Sequence, residues 1–395
     1  MSTYNLPLKP ILLSLTAVLT LHASNGDLMI ATGAKSMGMG GVGIAIPFGA
    51  ESGLNNPALL TSVKESEVSG SATFFFPSID TKVDSISSRP FFEKQGVYQE
   101  SDADFYLIPS VAYATDLGSN WYAGIGIWGI AGMGVDFSDA PAGSGLFGMQ
   151  TDLMIMHIAA PVAYRSGNLS VGIAPIIQVG MLNIEFDAGQ HFHPYDKEWD
   201  ANVGVKVGAV YDFGNGLRAG AVYKTPISMT YENSNPLGSD LKLEQPQEYG
   251  IGLSYSFGAQ TVAMDYKRID WDKADGYKTF GWEAEDLFAI GYQYSMDQWA
   301  LRAGYNHSKS PIDTTAGQPL QNYLNLLGFP ATSEDHYTVG ATYDTGGNYS
   351  IDFAAVYSPE ETTSGVILDG GRLGEVLITN RHEELSMTLQ LNYRF

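Results

Sequence analysis

The last eleven residues of the chain, LSMTLQLNYRF, alternate strictly between apolar and polar side chains. The apolar set runs from Leu385 to Phe395 and the polar set from Ser386 to Arg394, each at every second position. A period of two places the two sets on opposite faces of a β-strand. The same alternation recurs in TVAMDYK and VGVKVGAVY, which indicates a protein built largely from strands.

The pattern divides the chain into about fourteen strand-like segments, most of them near the 9–11 residues that a tilted strand needs to cross a bilayer. Short turns such as DLGSN, SGN and GN alternate with connections longer than about ten residues. An outer-membrane barrel has this asymmetry, because its periplasmic turns are tight and its external loops are long. The predicted strands begin near Glu67, Asp104, Trp121, Asp152, Leu169, Asp200, Gly216, Pro246, Gln260, Asp286, Gln298, Asp335, Asn348 and Glu384.

A soluble two-sheet sandwich also alternates, so the composition of the faces has to decide between the two folds. Charged residues make up only 16% of the chain, below the roughly 25% of an average globular protein. The polar faces are rich in Gly, Ser, Thr and Asn, while Tyr and Phe gather at strand ends as an aromatic girdle requires. Because lipid leaves no water for an open sheet edge, the strands have to close. We therefore predict an all-β fold, a 14-stranded antiparallel transmembrane β-barrel.

The first residues have the composition of a secretion signal. One lysine precedes an apolar core from Ile11 to Leu21, and Ala23 stands at a position suited to signal peptidase. The apolar run is about half the length that a spanning helix needs. We predict that residues 1–23 are removed and that the mature chain lies in the outer membrane of a Gram-negative cell. A buried helix of the mature protein is the alternative.

The composition excludes several classes of site and partner. The chain has no cysteine, so it can form neither a disulfide framework nor a thiolate metal site. Its formal net charge of -22 argues against a nucleic-acid partner, since association would have to overcome long-range repulsion. His191 and His193 stand two apart, but without a third ligand nearby we expect no metal site there. No catalytic constellation stands out, so we expect neither an enzyme nor a cofactor.

Residues 24–66, between the signal and the first strand, are rich in small side chains and lack the strand pattern. At about forty residues the segment is too long for a simple connection. We predict that it folds inward as an N-terminal hatch, a plug of short helices, and that residues 67–395 form the barrel. Its NNPALL stretch has the form of a helix start, with Asn56 as N-cap, Pro57 at the first helical position and Ala58 next.

The small-residue run GAKSMGMGGVGIA, followed by NPA just ahead of a barrel, resembles the FadL family of outer-membrane transporters for long-chain fatty acids and other hydrophobic compounds. The stretches PVAYRSGNLSVGIAP, GVKVGAVYDFGNGLRAGAVYKTPISMTY and WALRAGYNHSKSPI extend the likeness along the mature chain. The resemblance implies a hatch-occluded barrel that passively carries hydrophobic molecules, fatty acids or hydrocarbons, into outer-membrane lipid. It also implies a side opening at an inward kink of the third strand. We expect a monomer.

The third predicted strand, WYAGIGIWGIAGMGVDF, loses its alternation in its second half. Gly129, Gly132 and Gly134 crowd this half, and glycines inside a strand mark a bulge or the close approach of another backbone. These glycines are the candidates for the lateral opening. A glycine-rich strand that only packs against the hatch is an equal alternative.

Several residues are candidates for holding a ligand. Basic side chains on the polar faces of strands could hold a carboxylate head group, or could instead pair with acids such as Asp265 and Asp352. In the loop PLQNYLNLLGFPA, Leu326 and Phe329 could hold an acyl chain or dip into the outer leaflet. The basic candidates are Arg302, Lys267, Lys224 and Arg218, with Arg394 on the same kind of face.

Two other functions compete with hydrophobic transport. One is a general pore for small polar solutes, and the other is a barrel that serves as a platform for protein attachment or secretion. The sequence alone leaves the identity of the transported compound open.

Overall fold

The fold is carried by a single large antiparallel sheet. In the computed structural model, residues 25–85, 96–186, 197–232, 240–314, 319–369 and 374–395 are described. The signal prediction for residues 1–23, together with His191 and His193, lies outside these ranges. The strands are β1 (Ser66–Ser85), β2 (Gln99–Glu100), β3 (Tyr106–Gly118), β4 (Trp121–Asp136), β5 (Gln150–Ala159), β6 (Val162–Ser166), β7 (Leu169–Glu185), β8 (Glu198–Asp212), β9 (Leu217–Lys224), β10 (Ile227–Tyr231), β11 (Leu241–Gln245), β12 (Glu248–Phe257), β13 (Gln260–Ile269), β14 (Glu285–Met296), β15 (Trp299–His307), β16 (Asp335–Asp344), β17 (Tyr349–Asp369) and β18 (Gly374–Arg394).

The helices are all short. Two of them, α1 and α2, precede β1, and α3 lies in the connection between β15 and β16. None of the described helices has the length and apolar character needed to cross a membrane. The helical elements are α1 (Ala34–Met37), α2 (Ser52–Asn55), α3 (Pro319–Tyr323), the 3-10 turns Pro57–Ser62 and Trp271–Lys273, and a π-helical turn at Leu324–Gly328.

The sheet closes on itself, as the alternating pattern predicted. Each barrel strand pairs with its neighbour in the chain, and β18 pairs with β1 from Glu67 opposite Arg394 to Ser85 opposite Val376. β5 and β6 both pair with β4 and β7, so they are two halves of one barrel strand. β2 pairs only with β1 and the β10–β11 hairpin forms a separate sheet. The barrel therefore has 14 strands, and the predicted fold is confirmed.

The predicted strand starts lie within about two residues of the observed ones, with one exception. β18 begins at Gly374, ten residues before the predicted start at Glu384. Its pairing with β17 continues through a register shift between Ser358 and Glu361. The upper part of this strand carries GEVLITNRHE, which does not alternate. Alternation is a signature of a lipid-facing wall and is lost where the strand extends beyond the lipid.

The two faces of the terminal strand are divided as its sequence predicts. Met387, Leu389 and Leu391 are 41%, 54% and 52% exposed on the outer surface, whereas Thr388 and Gln390 are buried inside. Aromatic pairs collect at the periplasmic ends of the strands, where they form one belt of the expected girdle. The pairs Tyr349–Tyr393 and Trp299–Tyr343 have ring centroids 4.7 and 4.8 Å apart.

The segment ahead of β1 packs inside the barrel against strand glycines. A Cβ atom on Gly220 would overlap the backbone of Ile44, and one on Gly304 would overlap the backbone of Met39 and Gly40. Asn56 joins this segment internally, because its side chain accepts from the Ala58 N–H at 3.1 Å and donates to the Ile44 carbonyl at 2.8 Å. The small residues of the wall therefore leave the space that the inner segment fills.

We predict that Gly304→Ala weakens the packing of the inner segment against the barrel wall and lowers the stability of the protein. The added methyl group has no space against the backbone of Met39, and such overpacking costs about 1–3 kcal/mol. The measurement is the temperature at which the folded barrel band is lost in SDS electrophoresis, which we expect to fall. Gly70→Ala is the matched control, since a Cβ there meets nothing within 4 Å. Equal shifts in the two variants would contradict the packing argument.

Candidate functional site

The wall of the barrel is incomplete between β3 and β4. The two strands pair from Gly118 opposite Trp121 up to Ser110 opposite Trp128. Above that point, Tyr106–Pro109 forms ladder pairs with β1 and not with β4, and the β4 residues up to Asp136 form theirs with β5 and not with β3. The gap ends at Asp136, whose carbonyl accepts from the Asp102 N–H at 2.8 Å. The β4–β5 register also shifts between Gly129 and Ala131, which is a bulge. The described strands therefore lack ladder hydrogen bonds across this gap.

The inner segment supplies some of the missing partners. The Met29 N–H donates to the Ile130 carbonyl at 2.9 Å, and the Gly132 N–H donates to the Asp27 carbonyl at 3.1 Å. Leu28 and Ala131 form an isolated antiparallel bridge. Polar backbone groups at an open edge in a membrane need partners, and this short stretch of the inner segment provides them from the lumenal side.

A cavity of about 460 Å³ lies at the gap and is lined by residues of both the outer surface and the lumen. On the outer side it is bordered by Leu107 and Trp199, which are 57% and 66% exposed. On the lumenal side it reaches Met37 and Val356, which are both buried. Its lining is mostly apolar and, among the residues that the structure describes, includes no Lys or Arg.

The three glycines predicted for a lateral opening all line this cavity. A Cβ on Gly129 would lie 2.5 Å from a methyl carbon of Ile108 across the gap. A Cβ on Gly134 would lie 2.5 Å from the Thr151 carbonyl oxygen and 2.9 Å from the Tyr106 hydroxyl. Larger side chains at these positions would fill the space between the strands.

Three lysines lie together in a second, polar compartment of the lumen. Lys206, Lys224 and Lys267 line two small cavities of about 70 and 40 Å³ with Glu248. The ammonium group of Lys224 lies 2.5 Å from the Glu248 carboxylate, and Lys206 donates to the Leu54 carbonyl at 2.8 Å. Among the residues that line these two cavities, three lysines stand against one carboxylate. The sequence pattern did not single out Lys206 as a candidate, although Lys206 lies on the glycine face of VGVKVGAVY.

The apolar cavity and the lysine compartment share a thin partition. Leu28, Met29 and Ile30 of the inner segment line both. A displacement of these three residues would join the two spaces.

The chain matches the model of the family described as outer membrane protein transport protein (OMPP1/FadL/TodX) over residues 16–395. The chain belongs to this family. A 47 kDa outer membrane protein of Pasteurella multocida is 24% identical over 404 residues, covering 86% of this chain and 87% of that protein. A Pseudomonas aeruginosa FadL homologue superposes with a TM-score of 0.75 at 15% identity, covering 93% and 99% of the two chains. The P. putida toluene transporter TodX gives 0.69 at 17% identity, covering 92% and 99%.

Membership in the OMPP1/FadL/TodX family places the chain in the outer membrane and confirms the predicted resemblance. Transport channels, rather than enzymes, make up its family and its structural neighbours. Across the described ranges, no group of three or more His, Asp or Glu side chains is arranged to hold a metal ion.

The other basic residues that the sequence singled out lie away from both compartments of this FadL-type barrel. Arg302 is buried and donates to the side chains of Gln293 at 2.8 Å and Thr342 at 2.6 Å. Arg218 pairs with Asp212 at 2.8 Å near a periplasmic turn. Arg394 pairs with Asp344 at 3.3 Å at the periplasmic end of the last strand.

The lumenal acids named as possible partners of those bases contact the inner segment instead. Asp265 accepts from the N–H groups of Gly43 and Ile44 at 2.7 and 2.9 Å. Asp352 lies 3.4 Å from the ammonium group of Lys35. These two acids therefore hold the inner segment in place.

The loop residues Leu326 and Phe329 do not line the 460 Å³ cavity. Leu326 is fully buried and packs among Ile79, Val83 and Ile367 in a cluster formed by the extended outer strands. Phe329 is also buried, in the neighbouring cluster that contains Trp271. The structure thus places both side chains in the protein interior and not against the outer leaflet.

The start of the inner segment is held by an external aromatic cluster. The rings of Trp271, Tyr277 and Trp282 have centroids 4.6–5.0 Å apart. The Tyr277 hydroxyl and the Gln245 amide both donate to the Asp27 carboxylate. Burial raises the pKa of the Asp27 carboxyl from 3.8 to about 6.

We predict that this anchoring depends on pH. Because the pKa of Asp27 is raised in the anchored state, anchoring is strongest below the unperturbed value of 3.8 and weakens as the pH rises through about 6. Amide hydrogen exchange of Leu28 and Met29, corrected for the intrinsic rates, measures the effect. We expect protection to fall by roughly tenfold to a hundredfold between about pH 4.5 and 7.5. In Asp27→Asn the dependence should vanish, and its persistence there would assign the effect to another group.

Proposed function

We propose that this protein passively carries hydrophobic molecules from the external medium through the wall cavity and releases them sideways into the outer membrane. One observation supports the proposal above the others. The apolar cavity runs from buried lumenal residues to lipid-exposed ones at the place where the β3–β4 ladder ends. Gly129, Gly132 and Gly134 keep that space open.

The driving force would be the concentration gradient together with transfer from water into lipid. Transfer of apolar groups from water is favourable by about 0.8 kcal/mol per methylene group. No chemical step is required, and no cofactor enters the proposal. Within it, residues 24–66 act as the hatch and residues 67–395 as the barrel, which works as a monomer.

We predict that a disulfide across the gap stops uptake. A Cβ on Gly129 would lie 3.9 Å from the Cβ of Ile108, within the range of about 3.5–4.5 Å found in disulfides. In the double variant Ile108→Cys/Gly129→Cys, the new cysteine at 108 also removes the methyl carbon that would clash. The measurement is uptake of radiolabelled toluene by cells of a Gram-negative host that lacks such a transporter. We expect uptake to fall to background after oxidation and to return after reduction.

The chain has no cysteine of its own, so the two introduced thiols are the only ones present. The single variants Ile108→Cys and Gly129→Cys, treated with the same oxidant, control for the side chains themselves. Full uptake through the oxidised double variant would show that molecules leave by another route.

Uncharged molecules fit the cavity better than fatty acids do. Its described lining contains no Lys or Arg, and it includes the acids Asp27 and Glu384. A carboxylate would therefore be buried beside like charge without a cation. The likeness in fold to a toluene transporter is consistent with a hydrocarbon substrate.

Long-chain fatty acids are the second candidate, and the lysine compartment favours them. A shift of Leu28–Ile30 would let a head group reach Lys206, Lys224 and Lys267 while its chain remained in the cavity. A carboxylate bound there would gain charge-assisted hydrogen bonds.

We predict that Lys267→Gln separates the two substrate classes. If fatty acids use the lysine compartment, oleate uptake by this variant should fall by about tenfold, because one hydrogen bond between the head group and a charged side chain is lost. Toluene uptake should be unchanged. Lys309→Gln is the matched control, because its side chain is 80% exposed in an external loop. Equal oleate uptake by both variants would remove the fatty-acid candidate and leave the hydrocarbon one.

The two competing functions lack comparable support. A general pore for polar solutes needs an open lumen, whereas the inner segment here contacts the backbone of strands on several sides. Exposed apolar side chains are spread around the outer wall as lipid requires, and no single patch among the described residues marks a protein platform.

A further inference from the structure

The apolar cavity has one polar corner. Ser333, His336, His382 and Glu384 line it at the lumenal side, on β16, β18 and the connection that precedes β16. The Nε2 atom of His336 lies 3.5 Å from Glu384 Oε2, and the Nε2 atom of His382 lies 3.3 Å from Glu384 Oε1. A carboxylate is therefore held between two imidazoles.

Within this corner, the carboxylate is the group that faces the void. The side chain of Glu384 is 20% exposed, whereas those of His336 and His382 are only 6% and 8% exposed. The Nδ1 atom of His382 lies 3.4 Å from the Ser333 hydroxyl, so this imidazole is fixed from its other side as well. A carboxylate offers about four acceptor positions. The Glu384 carboxylate accepts hydrogen bonds from His336 and Ser333, which leaves capacity for a further donor.

Three kinds of occupant can be compared at this corner. A pure hydrocarbon would cover the carboxylate without giving it a hydrogen bond, which leaves a desolvated acceptor. An alkanoate would bring like charge and has no proton to donate at neutral pH. A hydroxyl group on an apolar body donates to Glu384 while the rest of the molecule contacts apolar residues such as Ile155, Val179 and Val356.

We propose that Glu384, backed by His336 and His382, is a recognition site for the hydroxyl group of a hydrophobic alcohol or phenol. The inference rests on the proposed function, since it names a ligand class for the same cavity. It adds a selectivity among uncharged molecules that the apolar lining alone does not provide.

The test compares p-cresol with toluene, which differ by one hydroxyl group. The two affinities are measured with radiolabelled ligands on the purified full-length protein in detergent, and the ratio of cresol to toluene affinity is the readout. In Glu384→Met the ratio should fall by about tenfold, since the hydroxyl group of p-cresol loses a hydrogen bond to a charged group. Glu384→Gln keeps an acceptor oxygen and should retain most of the preference.

Glu383→Met is the matched control, because Glu383 directly precedes Glu384 in the same strand and does not line the cavity. An unchanged ratio of cresol to toluene affinity in Glu384→Met, or an equal fall of that ratio in Glu383→Met, would overturn the hydroxyl site. The proposed function would still stand in that case, provided that the wild-type protein binds toluene. Hexylamine, an apolar amine, is measured in the same way. If Glu384→Met lost affinity for hexylamine but not for p-cresol, the assignment of the site to a hydroxyl group would be overturned. If the wild-type protein bound neither toluene nor p-cresol, the proposed function itself would fail, and this inference with it.

Discussion

Hydrocarbon offers no hydrogen-bonding partners to a peptide backbone, and this constraint governs the whole molecule. It requires that the strands pair on both sides, which the chain achieves by joining β18 to β1 along a ladder that runs from Glu67 to Ser85. The same constraint makes a gap in the wall costly. Where β3 and β4 separate, the donors and acceptors of Ile130 and Gly132 are met by Asp27 and Met29 from inside. The inner segment is thus part of the wall where the β3–β4 ladder ends.

The inner segment is held in place by polar contacts as well as by apolar burial. Asp265 and Asp352 of the wall bind backbone amides and Lys35 of the segment, and Asp27 of the segment is bound by an external loop. Each of these contacts joins a plug residue to a different part of the barrel. A ligand that displaces the first residues of the plug therefore competes with hydrogen bonds, which can exchange with water.

Sequence reasoning found the barrel because the alternation of LSMTLQLNYRF is a direct consequence of a wall with lipid on one side. It failed at the upper part of β18, where GEVLITNRHE extends beyond the lipid and carries no period. The resemblance to the FadL family, together with the crowding of glycines in the third strand, made Gly129, Gly132 and Gly134 candidates for a lateral opening, and all three line the cavity at the β3–β4 gap. Sequence reasoning did not bring together Lys206, Lys224 and Lys267, which come from three separate strands, β8, β9 and β13. It also named Arg302 as a candidate, whose side chain donates hydrogen bonds to Gln293 and Thr342.

The sequence by itself determined the membrane-facing side of each strand, the number of strands and the presence of a plug, because these follow from local periodicity and from the lengths of turns. Only the tertiary structure decided where the β3–β4 ladder ends and which residues line the gap. The gap depends on which backbone atoms of β3 and β4 lose their partners. The polar corner of the cavity depends on Glu384, His336 and His382. His336 lies far from the other two in the chain, and none of the three belongs to a recognisable motif. Such sites arise from closure of the ring, which brings distant residues together in ways that no local pattern encodes.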